Sequence, residues 1–262
     1  MSQKIGVFPA SGGLGTSIIN HLVKLVPASQ LILVARNPEK LASLSREGAT
    51  IRRADYDDRA TLERVFDNVG VLMLISYASF EIQHRVEYLA ELPGHFTYTA
   101  IREGLYSESF PIYTAWFDPH NPVEEITIPH PGTGPGVAWA KRDELGEATA
   151  KMVYAYAKNP SGFPYLNRVV LLSGPREVSL AETAEVLGRA VGKPVRIREI
   201  TVDEYVALPQ IGDKHTYHGV NLSREWATAW EAIRAGRRRL CRLFWGRFWG
   251  GSRRTLRLRF RG

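Results

Sequence analysis

The chain is expected to fold as an α/β protein, a doubly wound parallel sheet with a smaller, less regular carboxy-terminal part. Three observations predict it. Short apolar runs alternate with helical apolar spacing through the first 75 residues. A glycine-rich turn stands between the first run and the first helical pattern. Apolar residues make up 44% of the chain, enough to bury a core and to set disorder aside.

Taken in order, Lys4–Phe8 reads as a strand and residues 9–15, PASGGLG, as a turn. Ile18, Ile19, Leu22, Leu25 and Val26 then recur at helical spacing until Pro27 stops them. Leu31–Ala35 is a continuous apolar run of the kind found in strands buried on both faces. Asn37 and Pro38 predict a helix start, with Asn37 as its cap. Thr50–Ala54 is a third strand, Arg59–Phe66 a third helix and Val69–Ile75 a fourth strand. Short connections between alternating strands and helices call for parallel pairing.

The second half is looser. Phe80–Leu92 reads as helix, and Phe96–Ile101 and Glu125–Ile128 as extended. A Pro/Gly cluster at 129–136 marks a loop. Arg142–Lys158 is a long helix with Asp143 and Glu144 at the end where its dipole favours acids. Arg168–Leu172 is a strand, Ser179–Val191 a helix whose Ser179 and Glu182 have capping-box spacing, and Pro194–Ile200 is extended. No internal repeat is visible.

Length and composition narrow the class. At roughly 150 residues per domain, 262 residues make one to two domains. No apolar run approaches the ~18 residues of a membrane span, and MSQKIGVF enters a strand pattern without a signal peptide's apolar stretch. One cysteine, Cys241, leaves no disulfide framework and no multi-cysteine metal site. The expectation is a cytoplasmic protein that binds neither a membrane nor a nucleic acid through its folded body. The net charge of +7 is local: residues 233–262 hold 11 Arg and no acid, leaving 23 Lys+Arg against 27 Asp+Glu before them. A basic face of a folded domain would be a nucleic-acid footprint. Here the basic charge is a tail.

The turn is the chemical signal. Directly after a strand and before a helix, Ser11, Gly12, Gly13, Leu14 and Gly15 supply close backbone approach and unpaired N–H groups for a pyrophosphate. Pro9 within the same turn fixes its own φ and has no N–H to offer. Arg36 follows the second strand, about twenty residues past the last glycine. An acid there fits ribose hydroxyls, whereas arginine fits a 2′-phosphate, so NADP is favoured over NAD, with Lys40 as a second cation. The bland alternative is a tight turn beside a solvated arginine.

With these residues in view, the chain resembles the NmrA-like proteins, atypical relatives of the short-chain dehydrogenases/reductases. The resemblance spans most of residues 3–232: the glycine turn, VARNPEKL at 34–41, ADYDD at 54–58, REGLYSES at 102–109 and WAKRDELGEATA at 139–150. It implies a Rossmann dinucleotide domain at 1–110 plus 137–175 and a substrate part at 111–136 and 176–232, before the basic tail at 233–262. It further implies Asp55 and Tyr56 near the adenine, Ser76 and Tyr77 along the cofactor cleft, and Tyr106, Glu108 and Trp139 on the substrate side.

The chain also departs from the family pattern. Glycine is usual where Pro9 stands. Only 19 residues separate Ser76 from Phe96, room for one helix where the family places a helix and a strand, so a block is expected to be missing around 81–89. The tail, RRRLCRLFWGRFWGGSRRTLRLRFRG, replaces an acidic helical end. It reads as an Arg/Trp-rich surface-binding segment, a solvated disordered end, or a non-native reading frame from a mis-spliced gene.

No catalytic set stands out. Tyr154 and Lys158 have the Y-x-x-x-K spacing of many short-chain dehydrogenases, but they close a long helix and read as helix surface. Asp213, His215 and His218 read as loop polar groups rather than a metal site, and His84 and Arg85 as surface. His120, His130 and Trp116 read as packing in a proline-rich stretch. The resemblance thus implies an NADP-dependent oxidoreductase acting on a small carbonyl, quinone or enone, in secondary metabolism as in fungal relatives. The alternatives are a non-catalytic NAD(P)-sensing regulator and a truncated, nonfunctional product.

Overall fold

The computed structural model describes residues 3–76, 97–212, 216–217 and 220–236. Those residues fall into two compact units, one of residues 1–102 with 142–170 and one of 103–141 with 171–262. The divisions lie several residues inside the boundaries expected at 110, 137 and 175. Tyr77, the junction at 81–89 with His84 and Arg85, Asp213, His215, His218 and the tail from 237 onward lie outside the described residues.

The first unit is built on a four-stranded parallel sheet, β1 (Ile5–Phe8), β2 (Leu31–Ala35), β3 (Thr50–Arg53) and β4 (Val71–Leu74), in the order β3-β2-β1-β4. Register pairs Val7 with Leu33 and with Met73, and Leu33 with Ile51. Every residue of β1 and β2 is buried, as strands covered on both faces must be. β3 is half exposed, the burial of a sheet edge. The expected doubly wound parallel sheet is what forms.

Helix α1 (Gly13–Leu22) buries Ile18, Ile19 and Leu22 against β1, β2 and the later helix that contributes Ala150 and Val153. Two helix expectations change. Asn37 caps nothing through its side chain; a 3₁₀ turn over Pro38–Leu41 precedes a short α2 (Ala42–Arg46). The expected helix over Arg59–Phe66 is only a 3₁₀ turn, Arg59–Leu62, capped by Asp58 accepting from the Ala60 amide. Arg64 then adopts φ 59°, while Arg52 on β3 donates to the carbonyls of Val65 and Asp67 at 2.7 and 2.8 Å. The left-handed Arg64 breaks the helical backbone, and the guanidinium ties the chain that follows to the sheet.

Strand β5 (Thr99–Glu103) comes next in the chain. The second unit begins near its end and carries α3 (Phe110–Tyr113) and β6 (Glu125–Ile128). Helix α4 (Arg142–Lys158) belongs to the first unit, with the bounds its sequence predicts. Strand β7 (Arg168–Leu172) pairs with β5. Helix α5 (Leu180–Val191), strand β8 (Arg196–Glu199), helix α6 (Val202–Val206), the pair β9 (Thr216–Tyr217) and β10 (Val220–Asn221), and helix α7 (Leu222–Arg234) complete the second unit. β6 and β8 pair in parallel.

Ser179 caps α5 as expected, accepting from the Glu182 amide, but Glu182 turns to Arg176 at 2.6 Å instead of closing the box. The full capping box belongs to Thr201 and Glu204 of α6. The core holds Tyr113, Ile126, Ile128, Trp139, Leu187, Tyr205 and Trp230. Ile233 is fully buried and Arg234 bonds Glu199, so α7 runs on past residue 232, where the basic tail was expected to begin.

His130 is buried in this unit and its Nδ1 accepts from the Gly132 amide at 3.0 Å, which fixes the neutral ring. Burial, then the Arg234 charge, hold its pKa below the ordinary 6.5, with Glu199 opposing them. A lowered folded-state pKa means the unfolded chain binds the proton first. The stability owed to neutral His130 is therefore complete above pH 6.5 and lost as pH falls through the folded value. Urea midpoints at pH 7.5 and pH 5 should show an acid-induced loss in the native chain that is smaller in His130→Gln. An equal loss in both would remove His130 as the cause.

Candidate functional site

The four parallel strands deliver four chain exits to one edge of the sheet. In spatial order these are Asp55 and Tyr56 after β3, Arg36 after β2, the glycine turn after β1, and Ile75 with Ser76 after β4. β1 connects outward to β2, and the chain later returns to β1's other side as β4. The turn therefore sits at the topological switch point, where open α/β sheets bind ligands.

The turn is shaped for close approach. The Ala10 amide bonds the Val34 carbonyl at 2.7 Å, tying the turn to β2. A Cβ on Gly15 would lie 2.1 Å from the Pro9 carbonyl oxygen, so only glycine lets the helix start fold back beneath the strand end. At Gly12 a Cβ would meet nothing within 4 Å, so the turn's outer side is open. Thr16 makes the first intrahelical bond, to Gly12, leaving the amides of Gly13, Leu14 and Gly15 as the orphan donors of a helix start. The first turn of α1 holds no acidic side chain. Donors and dipole present positive charge to the open side, which fits a pyrophosphate.

Beside it, Arg36 is two-thirds exposed, its Nε 4.0 Å from Asp55 Oδ2. That pair is loose and solvated, so it leaves the guanidinium available to a phosphate. Tyr56 donates its hydroxyl to the Ile75 carbonyl at 2.7 Å and lays its ring against Phe8 at 4.3 Å, spanning the exits of β3, β1 and β4. Ser76 is exposed at the end of that row, and Lys40 is exposed on the 3₁₀ turn after Arg36. The structure thus gathers Ser11, Gly12, Gly13, Leu14, Gly15, Arg36, Asp55, Tyr56 and Ser76 along one edge.

Two further cations were not singled out in the sequence. Arg53 pairs in register with Ala35, next to Arg36, and is exposed. Its signal was the β3 alternation: Arg52 is spent on Val65 and Asp67, so its neighbour points the other way. Arg142, at the start of α4, lies against Gly13, where a Cβ would meet its Nη1 at 3.1 Å. Nothing local marks it, because the two residues are brought together by packing of α1 on α4.

In the second unit, Tyr106 donates to Glu103 at 2.7 Å and is half-buried, and Glu108 is exposed. Trp139 is a core residue, with its indole N–H donated to Thr183 at 3.2 Å and its ring edge-on to Tyr113. Trp116 packs near Trp226, and His120 is exposed. Tyr154 and Lys158 sit together, with the ammonium 5.6 Å from the ring centroid, beside a cleft of about 340 Å³. At ~1.5 Å per residue, they lie roughly 18 Å or more along α4 from Arg142 and the turn. Among the described residues no His/Cys/Asp/Glu group has the makings of a metal site, and no helix is long and apolar enough to cross a membrane.

The chain is similar to several known proteins. No family model matches it. An NmrA-like family domain-containing oxidoreductase of Aspergillus flavus is 27% identical over 241 residues, 75% of this chain and 74% of that protein. Quinone oxidoreductase 2 of Escherichia coli is 35% identical over 127 residues, covering 47% of this chain and 43% of that protein. Among solved structures, an NADPH-dependent quinone oxidoreductase from Escherichia coli has a TM-score of 0.71 at 25% identity, covering 89% of this chain and 90% of that one. The Citrobacter triphenylmethane reductase complexed with NADP(H) has a TM-score of 0.65 at 23% identity, with the same coverage.

Proposed function

We propose, on the premise that this chain is an NmrA-like member of the atypical short-chain dehydrogenases/reductases, that it is an NADP-dependent oxidoreductase. The carrying observation is the row Asp55, Arg36, glycine turn, Ser76 along the sheet's carboxyl edge, with an open approach at Gly12 and a solvated arginine one strand away. Relatives named as NADPH-dependent quinone oxidoreductase and NADP(H)-bound reductase support the same reading. The proposed substrate is a small carbonyl, quinone or enone, and secondary metabolism is the proposed setting.

Residues present fit the dinucleotide. The amides of Gly13, Leu14 and Gly15 would hold a phosphate by hydrogen bonds aligned with the α1 dipole. Arg36 would take the 2′-phosphate in its planar fork, with Lys40 adding charge. Asp55 and Tyr56 would border the adenine, and Ser76, followed by Tyr77, the way along the cleft. Bound NADPH supplies a hydride. The protein's part is to orient the coenzyme and keep water from the reacting face. Tyr106, Glu108 and Trp139 are proposed for the substrate side, with Trp139 acting from the core by shaping rather than by touching. The working location is the cytoplasm.

Arg36→Ala should weaken NADPH by about 1.5–3 kcal/mol, the range for a hydrogen bond to a charged group, and leave NADH nearly unchanged. Fluorescence titration reads both; equal losses would remove the 2′-phosphate assignment. A second reading, a sensor that binds NAD(P) without turnover, draws on the placement of Tyr154 and Lys158 a helix length from the turn. NADPH oxidation across a quinone panel separates the two. Tight binding with no oxidation favours the sensor.

A further inference from the structure

We propose that Arg53 is a second ligand for the coenzyme's 2′-phosphate and, with Arg36, sets the preference for NADP over NAD; this rests on the dinucleotide reading above. Register and side-chain alternation place it. Arg53 is the last residue of β3 and pairs with Ala35, the residue before Arg36, across strands that lie roughly 4.8 Å apart. Two positions back on the same side of β3, Ile51 packs on the core that holds Ala35 and Leu41. Leu41 closes the 3₁₀ turn Pro38–Leu41. Arg53 therefore leaves the sheet on the side of that turn, which also carries Lys40.

The charges at this corner fit a phosphate. Arg36 has Asp55 at 4.0 Å, and Lys40 has Glu39 beside it on the turn. Arg53 is exposed and makes no ion pair or hydrogen bond among the described residues. Asp57 and Asp58 follow on the way to the Arg59–Leu62 turn, whose Leu62 packs with Val34 on the opposite face of the sheet. With Arg53 the corner sets three cations against Asp55 and Glu39; without it the charges balance. A phosphate monoester carries about 1.5 to 2 negative charges at pH 7 and three acceptor oxygens. One guanidinium fork engages two of those oxygens, which leaves an acceptor for an arginine on the next strand. The strand's structural arginine is its neighbour Arg52, bonded to the carbonyls of Val65 and Asp67.

The test uses the full chain, titrated with NADPH, NADH and adenosine 2′-monophosphate, which keeps the 2′-phosphate and lacks the pyrophosphate. Arg53→Gln should weaken NADPH and the monophosphate by the same factor, about tenfold, the low end for losing a hydrogen bond to a charged group because the site is open to solvent. NADH should bind as before, and Arg53→Lys should lose less. Arg36→Ala combined with Arg53→Gln should lose more NADPH affinity than either change alone. Urea midpoints matching the native chain show that the fold is intact in each variant. If Arg53→Gln keeps native affinity for NADPH and the monophosphate while Arg36→Ala loses both, the proposal is overturned and the dinucleotide reading stands. Equal losses of NADPH and NADH in Arg53→Gln also overturn it, since the 2′-phosphate is what the two coenzymes do not share. A native chain that binds neither coenzyme overturns both.

Discussion

Gly15→Ala should lose both stability and dinucleotide binding, while Gly12→Ala should lose binding alone. At Gly15 the new methyl carbon would stand 2.1 Å from the Pro9 carbonyl oxygen. That oxygen is backbone, held between β1 and a turn tied to β2 through Ala10, and it cannot swing aside as a side chain would. The helix start must move away from the strand, at a cost of about 1–3 kcal/mol by analogy with overpacked cores. The same movement misaligns the amides that would hold a phosphate, so NADPH affinity should fall beyond tenfold. Gly12, with φ −80° and no atom within 4 Å of its Cβ position, accepts alanine within about 0.5 kcal/mol of the native stability. Its Cβ would instead occupy space reserved for the ligand. Urea unfolding and NADPH titration on the two variants give the contrast; native affinity in Gly12→Ala would mean that no phosphate runs over that residue.

Trp230→Ala should be the most damaging single change in the second unit. The side chain is 1% exposed, with Tyr205 at 4.8 Å and Tyr113 at 6.4 Å, both edge-on. Removing it leaves a cavity among aromatic walls that cannot close over it, costing about 3–5 kcal/mol. That is a large share of the roughly 5–15 kcal/mol that holds a domain folded. Trp230→Phe is a sharper probe. The indole Nε1 is buried and has no hydrogen-bond partner among the described residues, so phenylalanine removes an unsatisfied donor along with some volume. Its cost should be under half that of the alanine change. Denaturant midpoints at constant m-value decide it, and equal costs for the two variants would mean ring volume is not what Trp230 contributes.

What the sequence made legible follows from which physics was local. The buried runs of β1 and β2, the glycine turn, α4 and the Ser179 cap each declare themselves within a few residues, and each forms as read. Arg36 follows from the rule that parallel strands end at one edge, while Asp55 and Tyr56 came from the family resemblance and lie at the exit of a third such strand. Failures came where a distant group intervened. Arg59–Phe66 has helical spacing, but Arg64 turns left-handed and Arg52 on the sheet holds the carbonyls of Val65 and Asp67 just beyond it. Glu182 sits where a capping box needs it, yet Arg176 offers a charged partner. Ile233 looked like the start of a basic segment because composition averages over thirty residues, whereas burial is decided by one helix turn against Trp230's neighbours. Arg142 was invisible for the same reason: its neighbour Gly13 lies 129 positions upstream.

The interrupted course of the first unit bears on how it is made. Ile18, Ile19 and Leu22 share a core with Ala150 and Val153. At 5–20 residues per second, the ribosome needs roughly 6 to 26 s to travel from one group to the other. During that interval β1 and β2 cover only part of that apolar helix face, and the helix that completes the cover is not yet synthesised, a natural station for a holding chaperone.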